Sequence, residues 1–410
     1  HDILPGSSIQ EVYEEAREQL SGAQQHVEGV IASYGDGDRI YNPSSVERSG
    51  VVSITGDLYW IDGAPPLAST RPMDHLPSSV KPVQTAQRSL DNGLVRVEFD
   101  ERGRIAMLRG IESALPVNLQ TNGQSAPMNE LRLYEDQPRQ WDAWNLDHDY
   151  ASAQVPIEAQ PHIELIAQGP LRGVIEVTQE FGQGSRAVVR YMLDAGSRRL
   201  DIEADIDWQE ERRVLRVHFP TGIRTRHAMC GIQFGALQRP THRNTSWEGA
   251  QFEVPGHRWM DLAEPGRGLA VIEEAIHGRS IDGGGLGLTL LRSPVFPDPT
   301  ADRGRHRMRW SLMPHVGDWR TAGVDAEAES FTRTFLPGVS EIHAPLRLET
   351  IGEVAVEIAA LKPAEDGQGR ILRLVEKHGG QLEVDSAPGQ GATFTVCLPV
   401  EATGQGQNGE

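Results

Sequence analysis

The sequence is poor in cysteine and contains no long apolar run, and both shortages exclude classes of protein. Its 410 residues include only Cys230 and Cys397, which are far apart along the chain. They provide neither a disulfide framework nor a thiolate metal site, which favours a reducing compartment such as the cytoplasm. No stretch approaches the roughly 18 apolar residues of a membrane-spanning helix, and no secretion signal is visible. We therefore expect no membrane partner.

Basic residues are scarce relative to acids. Lys and Arg together number 39 against 58 Asp and Glu, which gives a formal net charge of −19. A nucleic-acid-binding protein needs a clustered basic face to displace counterions from phosphates. The composition therefore argues against a nucleic-acid partner and leaves uncharged ligands open.

The first 35 residues predict one amphipathic helix. Ser8 and Glu11 have the spacing of a capping box. Apolar residues then recur at steps of three and four, namely Ile9, Val12, Ala16, Leu20, Ala23, Val27 and Val30. No second helical pattern of comparable length follows, so the apolar stripe has no evident partner in the sequence. We expect the chain to be a fragment of a longer protein that supplies this partner.

From residue 36 onward the pattern predicts antiparallel β structure, because short alternating runs are separated by glycine, proline, asparagine and aspartate. Residues 94–99 and 105–108 predict a hairpin, and residues 200–208 alternate apolar with acidic side chains. The predicted division is a helical segment at 1–35, a small β unit with a linker at 36–84, a large β-sandwich at 85–343, a terminal β-sandwich at 344–400 and a disordered tail at 401–410.

Residues 141–147 combine tryptophans with carboxylates. Tryptophan offers a flat apolar face to the C–H face of a pyranose, and a neighbouring carboxylate accepts hydroxyl hydrogen bonds. We interpret Trp141, Asp142 and Trp144 as a sugar-binding rim. The alternative is a twisted strand with half-buried tryptophans. For His148, which stands between two aspartates, we expect a turn-stabilising role rather than metal ligation.

Several segments, in order along the chain, resemble the bacterial glycoside hydrolase family 38 α-mannosidases. They are residues 1–9, 91–94, 134–147, 207–213, 238–248, 291–294 and 298–306. The resemblance implies the part of such an enzyme that follows most of its catalytic α/β domain. It implies a mainly β fold, with a large antiparallel β-sandwich of the galactose-mutarotase-like supersandwich type, a short N-terminal helical segment and additional small β-sandwich units.

The resemblance also implies zinc and a mannoside substrate. His1 matches one of the family's zinc-ligating histidines, and Asp2 matches an aspartate that touches sugar hydroxyls. A retaining glycosidase further requires a carboxylate nucleophile and a carboxylic acid about 5 Å apart, which the family places upstream of these residues. The implied function is the hydrolysis of terminal α-mannosides with retention of configuration. This chain alone is expected to be inactive. The expected partners are α-mannoside oligosaccharides and the missing N-terminal catalytic domain.

Residues 377–396 depart from this family and resemble the closing hairpin of a sensor histidine kinase ATP-binding domain. The asparagine-bearing helix, the adenine-reading aspartate and the glycine-rich lid of such a domain are not found in matching context, so no kinase activity is expected. Either these residues form a hairpin that completes the last sandwich, or the reading frame is a chimera. We favour the chimera because the similarity is dense.

Two other functions stay open. One is a noncatalytic carbohydrate-binding β-sandwich protein that uses the rim at residues 141–147. The other is a sugar-epimerase-like sandwich, although no catalytic His and Glu pair stands out. The absence of a nucleophile motif favours the binding protein for the isolated polypeptide, whereas the order of the family segments favours the mannosidase. The sequence is also compatible with a homo-oligomer.

Overall fold

The structure is a computed structural model that describes residues 8–33, 35, 37–120, 122–343, 356–376, 381–387 and 391–397. The predicted mainly β class is confirmed by the antiparallel sheets within these ranges. Helices occur at Gln10–Ser33, Ser246–Gly249 and Val324–Thr332, with a 3-10 helix at His148–Ser152. None of these helices is long and apolar enough to span a membrane. His1, Asp2 and the predicted tail at 401–410 lie outside the described residues.

The largest sheet has nine antiparallel strands. In spatial order they are His162–Gln168, Arg172–Phe181, Ser185–Asp194, Leu200–Trp208, Gly304–His315, Arg267–Glu274, Trp259–Glu264, His227–Ile232 and Gly235–Pro240. The strand Leu200–Trp208 shows why the chain folds this way, since every second side chain along it is buried. Its apolar residues face the core and its acidic residues face outward, as its sequence pattern predicts.

Two smaller sheets cover one face of the nine-stranded sheet. One has six strands in the order Gln154–Val155, Glu130–Glu135, Arg213–Pro220, Gly285–Arg292, Gly278–Asp282 and Val254–Pro255. The other has four strands, Gln84–Ala86, Ser89–Asp91, Val95–Phe99 and Ile105–Gly110. A single apolar cluster joins residues of all three sheets. The large predicted β-sandwich is therefore present.

The centre of the sandwich contains a polar contact between large aromatic side chains. Asn129 accepts a hydrogen bond from Trp310 Nε1 at 2.8 Å and donates one to the Tyr191 hydroxyl at 2.8 Å. Trp310 is fully buried, so its N–H requires such an acceptor. Asn129 holds a left-handed backbone with φ of 57°, a conformation that asparagine adopts more readily than most residues.

The opposite face of the nine-stranded sheet packs against the helix Val324–Thr332. Alternate residues of one strand divide between the two faces, so that Leu269 and Val271 belong to the sandwich core. Ala270 and Ile272 instead pack with the helix. The period of two along the strand thus gives the sheet two buried faces at this point.

A small β unit lies at the start of the described chain. It contains the hairpin Arg48–Ile54 with Asp57–Ala64, and a three-stranded sheet in the order Leu336–Val339, Arg39–Tyr41 and Ser69–Thr70. A strand from late in the sequence therefore completes a sheet begun by early residues. The domain boundaries that the sequence analysis places at residues 35, 84, 343 and 400 stay a prediction.

The N-terminal helix Gln10–Ser33 is present as predicted and has no buried residue. Its apolar side chains Val12, Leu20 and Val27 are 46%, 70% and 54% exposed. An amphipathic helix of this kind gains its stability from packing its apolar face. Within the described residues nothing buries that face.

The described C-terminal part consists of two hairpins. Val356–Pro363 pairs with Arg370–Glu376, and Gln381–Ala387 pairs with Gly391–Cys397. The second pair lies in the region for which the sequence suggests a hairpin, while residues 377–380 and 388–390 lie outside the described residues.

Candidate functional site

The predicted sugar-binding segment follows the strand Glu130–Glu135 at one end of the six-stranded sheet. Glu135 pairs with Arg213, the first residue of the neighbouring strand. Val214 in turn pairs with Arg292, the last residue of the next strand. Antiparallel pairing therefore brings the segment at 136–147 beside the loop that leaves Arg292. We call these two segments the rim loops.

The segment at 141–147 is not a strand. The backbone N–H groups of Trp144 and Asn145 both donate to the Trp141 carbonyl at 2.8 Å, which closes a turn. Trp141 has a φ of 62°, a conformation that a bulky residue adopts only when its surroundings impose it. The alternative prediction of a twisted strand is therefore wrong. The backbone N–H groups of Trp144 and Asn145 bond within the turn and not to a neighbouring strand.

Arg292 anchors the first rim loop. Its Nε donates to Asp136 Oδ2 at 2.7 Å, and its Nη2 donates to the carbonyls of Asp142 and Asn145 at 3.1 and 2.7 Å. A guanidinium can serve several acceptors in one plane, so a single side chain fixes the start and the middle of the loop.

Asp136 is the buried partner of this arginine. Its side chain is 2% exposed, and Oδ1 has no hydrogen-bond partner among the described residues. Burial raises the pKa of the Asp136 carboxyl, against the opposing effect of Arg292. The nearby carboxylates of Asp142 and Asp147 raise it further. The charge of Asp136 therefore depends strongly on Arg292.

Asp142 joins the two rim loops. Its Oδ2 accepts the backbone N–H groups of Val295 and Phe296 at 2.8 and 3.0 Å, and Oδ1 lies 3.3 Å from Arg212 Nη1. The side chain is only 15% exposed. The carboxylate thus already has protein donors, and its predicted contact with sugar hydroxyls stays a prediction.

The rim loops present three aromatic rings, which we call the aromatic rim: Trp141, Trp144 and Phe296. Trp141 is 70% exposed and Phe296 is 63% exposed. Trp144 is half-buried, and its ring centroid lies 6.3 Å from that of Phe296 at an interplanar angle of 55°. Trp144 therefore forms an aromatic pair with Phe296, and Trp141 on the same loop exposes its ring to solvent. Sequence reasoning missed Phe296, although the segment at 291–294 ends two residues before it.

The other end of the first rim loop is held by acids and a 3-10 helix. Arg139 Nη1 lies 3.0 Å from Asp147 Oδ2 and Nη2 lies 2.5 Å from Asp149 Oδ2. His148 opens the 3-10 helix His148–Ser152, and its ring packs against Phe252 with centroids 6.4 Å apart. It thus lies at the start of a short helix, and its turn-stabilising role stays a prediction.

Between this 3-10 helix and the six-stranded sheet lies a buried polar cluster that the sequence did not suggest. Arg216 is 1% exposed, and its Nη1 lies 2.6 Å from Glu253 Oε2. Tyr150, on the 3-10 helix, contacts both side chains. The cluster fixes the far end of the rim loop to the outer face of the six-stranded sheet.

No group of three or more His, Cys, Asp or Glu side chains in the described residues has the arrangement of a metal site. His315, which the sequence left unassigned, is buried and its Nε2 lies 2.7 Å from Asp261 Oδ1. Burial raises the pKa of the Asp261 carboxyl, and His315 opposes this. This pair lies in the packed interior.

We expect Asp142→Ala to lower the free energy of unfolding by about 2 kcal/mol, since two backbone donors lose a charged acceptor. Asp142→Asn keeps one carbonyl oxygen and should lose clearly less. Urea denaturation of the three proteins measures both losses. An unchanged stability in Asp142→Ala would show that the carboxylate does not hold the loops together.

Comparison with known proteins gives a consistent relationship. Residues 90–300 match the glycosyl hydrolases family 38 C-terminal domain. Alpha-mannosidase 2C1 of Homo sapiens is 33% identical over 417 residues, which cover 93% of this chain and 39% of that protein. Alpha-mannosidase G of Dictyostelium discoideum is 35% identical over 303 residues, which cover 71% of this chain and 27% of that protein. The chain therefore spans about two fifths or less of these relatives.

The fold has a counterpart among solved structures. The crystal structure of an alpha-mannosidase from Enterococcus faecalis V583 superposes with a TM-score of 0.68 at 12% identity, covering 95% of this chain and 57% of that chain. At that identity the likeness concerns the fold alone. The resemblance of residues 377–396 to a histidine kinase ATP-binding domain is not supported by the comparisons.

Proposed function

The chain belongs to glycosyl hydrolase family 38, and on that premise we propose that it is the C-terminal part of a retaining α-mannosidase acting on terminal α-mannosides. The observation that carries this proposal is the match of residues 90–300, together with α-mannosidase relatives aligned over most of the chain. The proposed compartment is the cytoplasm, because the cysteine content suits reducing conditions.

In this proposal the chemistry comes from outside the described residues. A retaining mechanism needs a nucleophile and an acid about 5 Å apart, and we nominate no such pair in this chain. We propose that an N-terminal catalytic domain supplies both. Its docking partner here would be the exposed apolar stripe of the helix Gln10–Ser33, which has the residue pattern of a buried interface.

Zinc belongs to the same proposal. His1 would be one ligand and Asp2 would contact the sugar hydroxyls, as the family resemblance implies. A bound zinc ion would act as a Lewis acid toward substrate hydroxyls. The described residues offer no further ligand group, so the other ligands would also come from the catalytic domain.

The proposed role of the aromatic rim is to bind the leaving-group side of an α-mannoside oligosaccharide. The half-buried ring of Trp144 against Phe296 gives a rigid apolar wall, and the exposed ring of Trp141 gives an open face. Such surfaces suit the C–H faces of pyranose rings. Arg292 would hold the rim loops in place, and Asp142 would do the same while its remaining exposed surface contacts sugar hydroxyls.

Substitution of the rim tests this role. In the complete enzyme, Trp144→Ala should change substrate preference among α-mannosides more than it changes stability. Trp141→Ala should change the free energy of unfolding by no more than about 0.5 kcal/mol, because its ring is 70% exposed. It should nevertheless weaken oligosaccharide binding at least about fivefold.

The measurements are kcat/KM for a panel of linkages and isothermal titration with a mannose oligosaccharide. Leu115→Ala is a matched control, since Leu115 is 48% exposed and does not belong to the aromatic rim. An unchanged specificity profile with a large loss of melting temperature in Trp144→Ala would favour a packing role instead.

A noncatalytic carbohydrate-binding protein is the second candidate. The observation that favours it is that the aromatic rim is complete within the described residues, whereas a catalytic pair is not nominated. The two candidates differ in one result. Saturable binding of a mannose oligosaccharide by the isolated chain, with no longer protein produced in its source, would support the binding protein.

A further inference from the structure

A groove lies between the small β unit and the large sandwich. Its lining residues do not belong to the rim loops. Its volume is about 590 Å³. The walls come from the hairpin strand Arg48–Ile54, the turn at 194–199 and the helix Val324–Thr332. Clefts between units of a fold are common places for small-molecule sites.

Arg48 forms part of the floor and is only 8% exposed. Its Nε donates to Asn42 Oδ1 at 2.9 Å, and its Nη1 donates to the Arg333 carbonyl at 2.7 Å. Its Nη2 is buried and has no hydrogen-bond partner among the described residues. Arg48 also forms no ion pair with a described carboxylate. Burial lowers the pKa of Arg48 to about 10.

The other buried charges of the groove already compensate one another. Arg172 Nε lies 2.5 Å from Asp194 Oδ1. Arg199 bridges Asp201 and Glu327 at 2.8 and 2.5 Å. These contacts leave Arg48 as the buried cation of the groove that forms no close ion pair within the described part of the chain, although the buried carboxylate of Glu329 acts on it from farther away.

A buried charge without a close ion pair is costly, and the attraction of Glu329 together with a nearby ring offsets only a part of that cost. The Arg48 guanidinium carbon lies 4.5 Å from the centroid of the Phe335 ring, a modest cation–π contact. Because Arg48 is buried, solvent does not screen the rest of its positive charge, and the resulting electrostatic potential extends into the groove. A bound anion would compensate it.

The groove also offers groups that can contact such an anion directly. Arg198 lies on its lining and is exposed, with no ion pair to any described carboxylate. Ser49 and Ser330 line the same space, whereas the Ser197 hydroxyl already donates to the Arg199 carbonyl at 2.9 Å. Glu47 is the one unpaired acid of the lining, and it is exposed to solvent that screens its charge.

We propose that this groove binds a phosphate group, either as free phosphate or as a phosphate ester. Arg48 supplies the buried positive charge, and Arg198 with the hydroxyls of Ser49 and Ser330 donates hydrogen bonds to the oxyanion. The inference is independent of the proposed mannosidase function.

Isothermal titration of the whole chain tests the proposal with three probes at constant ionic strength: inorganic phosphate, a hexose 6-phosphate and the unphosphorylated hexose. Saturable binding of one or both phosphate compounds, without binding of the hexose at this groove, is expected. Tighter binding of the ester assigns the site to a sugar phosphate, and equal binding assigns it to free phosphate.

Two variants locate the site. Arg198→Gln removes an exposed side chain that the fold does not need, and it should weaken phosphate binding about tenfold. Arg186→Gln removes another exposed arginine, outside the groove, and should leave binding unchanged. The absence of saturable binding, or an equal loss in both variants, would overturn the proposal.

Discussion

The isolated 410-residue chain is expected to hydrolyse an aryl α-mannoside at least about 10³-fold more slowly than a complete family 38 α-mannosidase. In our proposal the nucleophile, the acid and most zinc ligands come from a catalytic domain that this chain does not contain. Positioning by the aromatic rim cannot replace a carboxylate that attacks the anomeric carbon. The release of p-nitrophenol from p-nitrophenyl α-mannoside, with and without added zinc, measures the difference.

The control is a mock purification from the same expression host, which sets the background from endogenous glycosidases. A complete family enzyme in the same buffer gives the upper reference. Turnover by the purified chain that rises in proportion to its concentration, well above the mock sample, would contradict the assignment of the catalytic groups to another domain.

The second large effect concerns the anchor of the rim loops. Arg292→Met should lower the free energy of unfolding by about 3–5 kcal/mol, because it leaves the buried carboxylate of Asp136 without its partner. Asp136 is 2% exposed and lies 2.6 Å from Arg292 Nη2. The carbonyls of Asp142 and Asn145 also lose their donor. Chemical denaturation measures the loss.

A matched control is Arg96→Met. Arg96 lies 2.7 Å from Glu98, but both side chains are more than 40% exposed, so the loss should stay below about 1 kcal/mol. Adding Asp136→Asn to Arg292→Met removes the unpaired charge and should restore part of the stability. Equal losses in Arg292→Met and Arg96→Met would contradict the account of the rim anchor.

The pH dependence of Arg292→Met follows from the direction of the Asp136 shift. The pKa of the folded carboxyl is already raised by burial, and the loss of Arg292 removes the effect that opposed this. The folded state then holds its proton where the unfolded state has released it. The stability of this variant should therefore be greatest below the ordinary aspartate pKa and fall as the pH rises through the raised value.

Sequence patterns predicted those strands and helices in which apolar residues recur at a regular spacing. The alternation at residues 200–208 predicts a strand with one buried face, and the strand Leu200–Trp208 buries every second residue. The spacing of apolar residues after Ser8 predicts the helix Gln10–Ser33. Both patterns depend on neighbours along the chain, which is why they can be read without the fold.

The geometry of the rim could not be read in this way. Asp142 accepts from Val295 and Phe296, which lie 153 and 154 residues away in sequence, and Asp136 pairs with Arg292, which lies 156 residues away. Such contacts arise only once the strands have paired. The same holds for the strand Leu336–Val339, which pairs with Arg39–Tyr41 from the opposite end of the chain. Composition alone suggested tryptophan for sugar contact, but it could not show that Asp142 has protein donors.

The central claim is that these residues form the C-terminal part of an α-mannosidase, and the coding sequence directly upstream of the codon for His1 tests it most directly. We predict an open frame that continues upstream and encodes a carboxylate nucleophile and the remaining zinc ligands of the family. A stop codon or a promoter immediately before that codon would contradict the claim and favour a carbohydrate-binding protein.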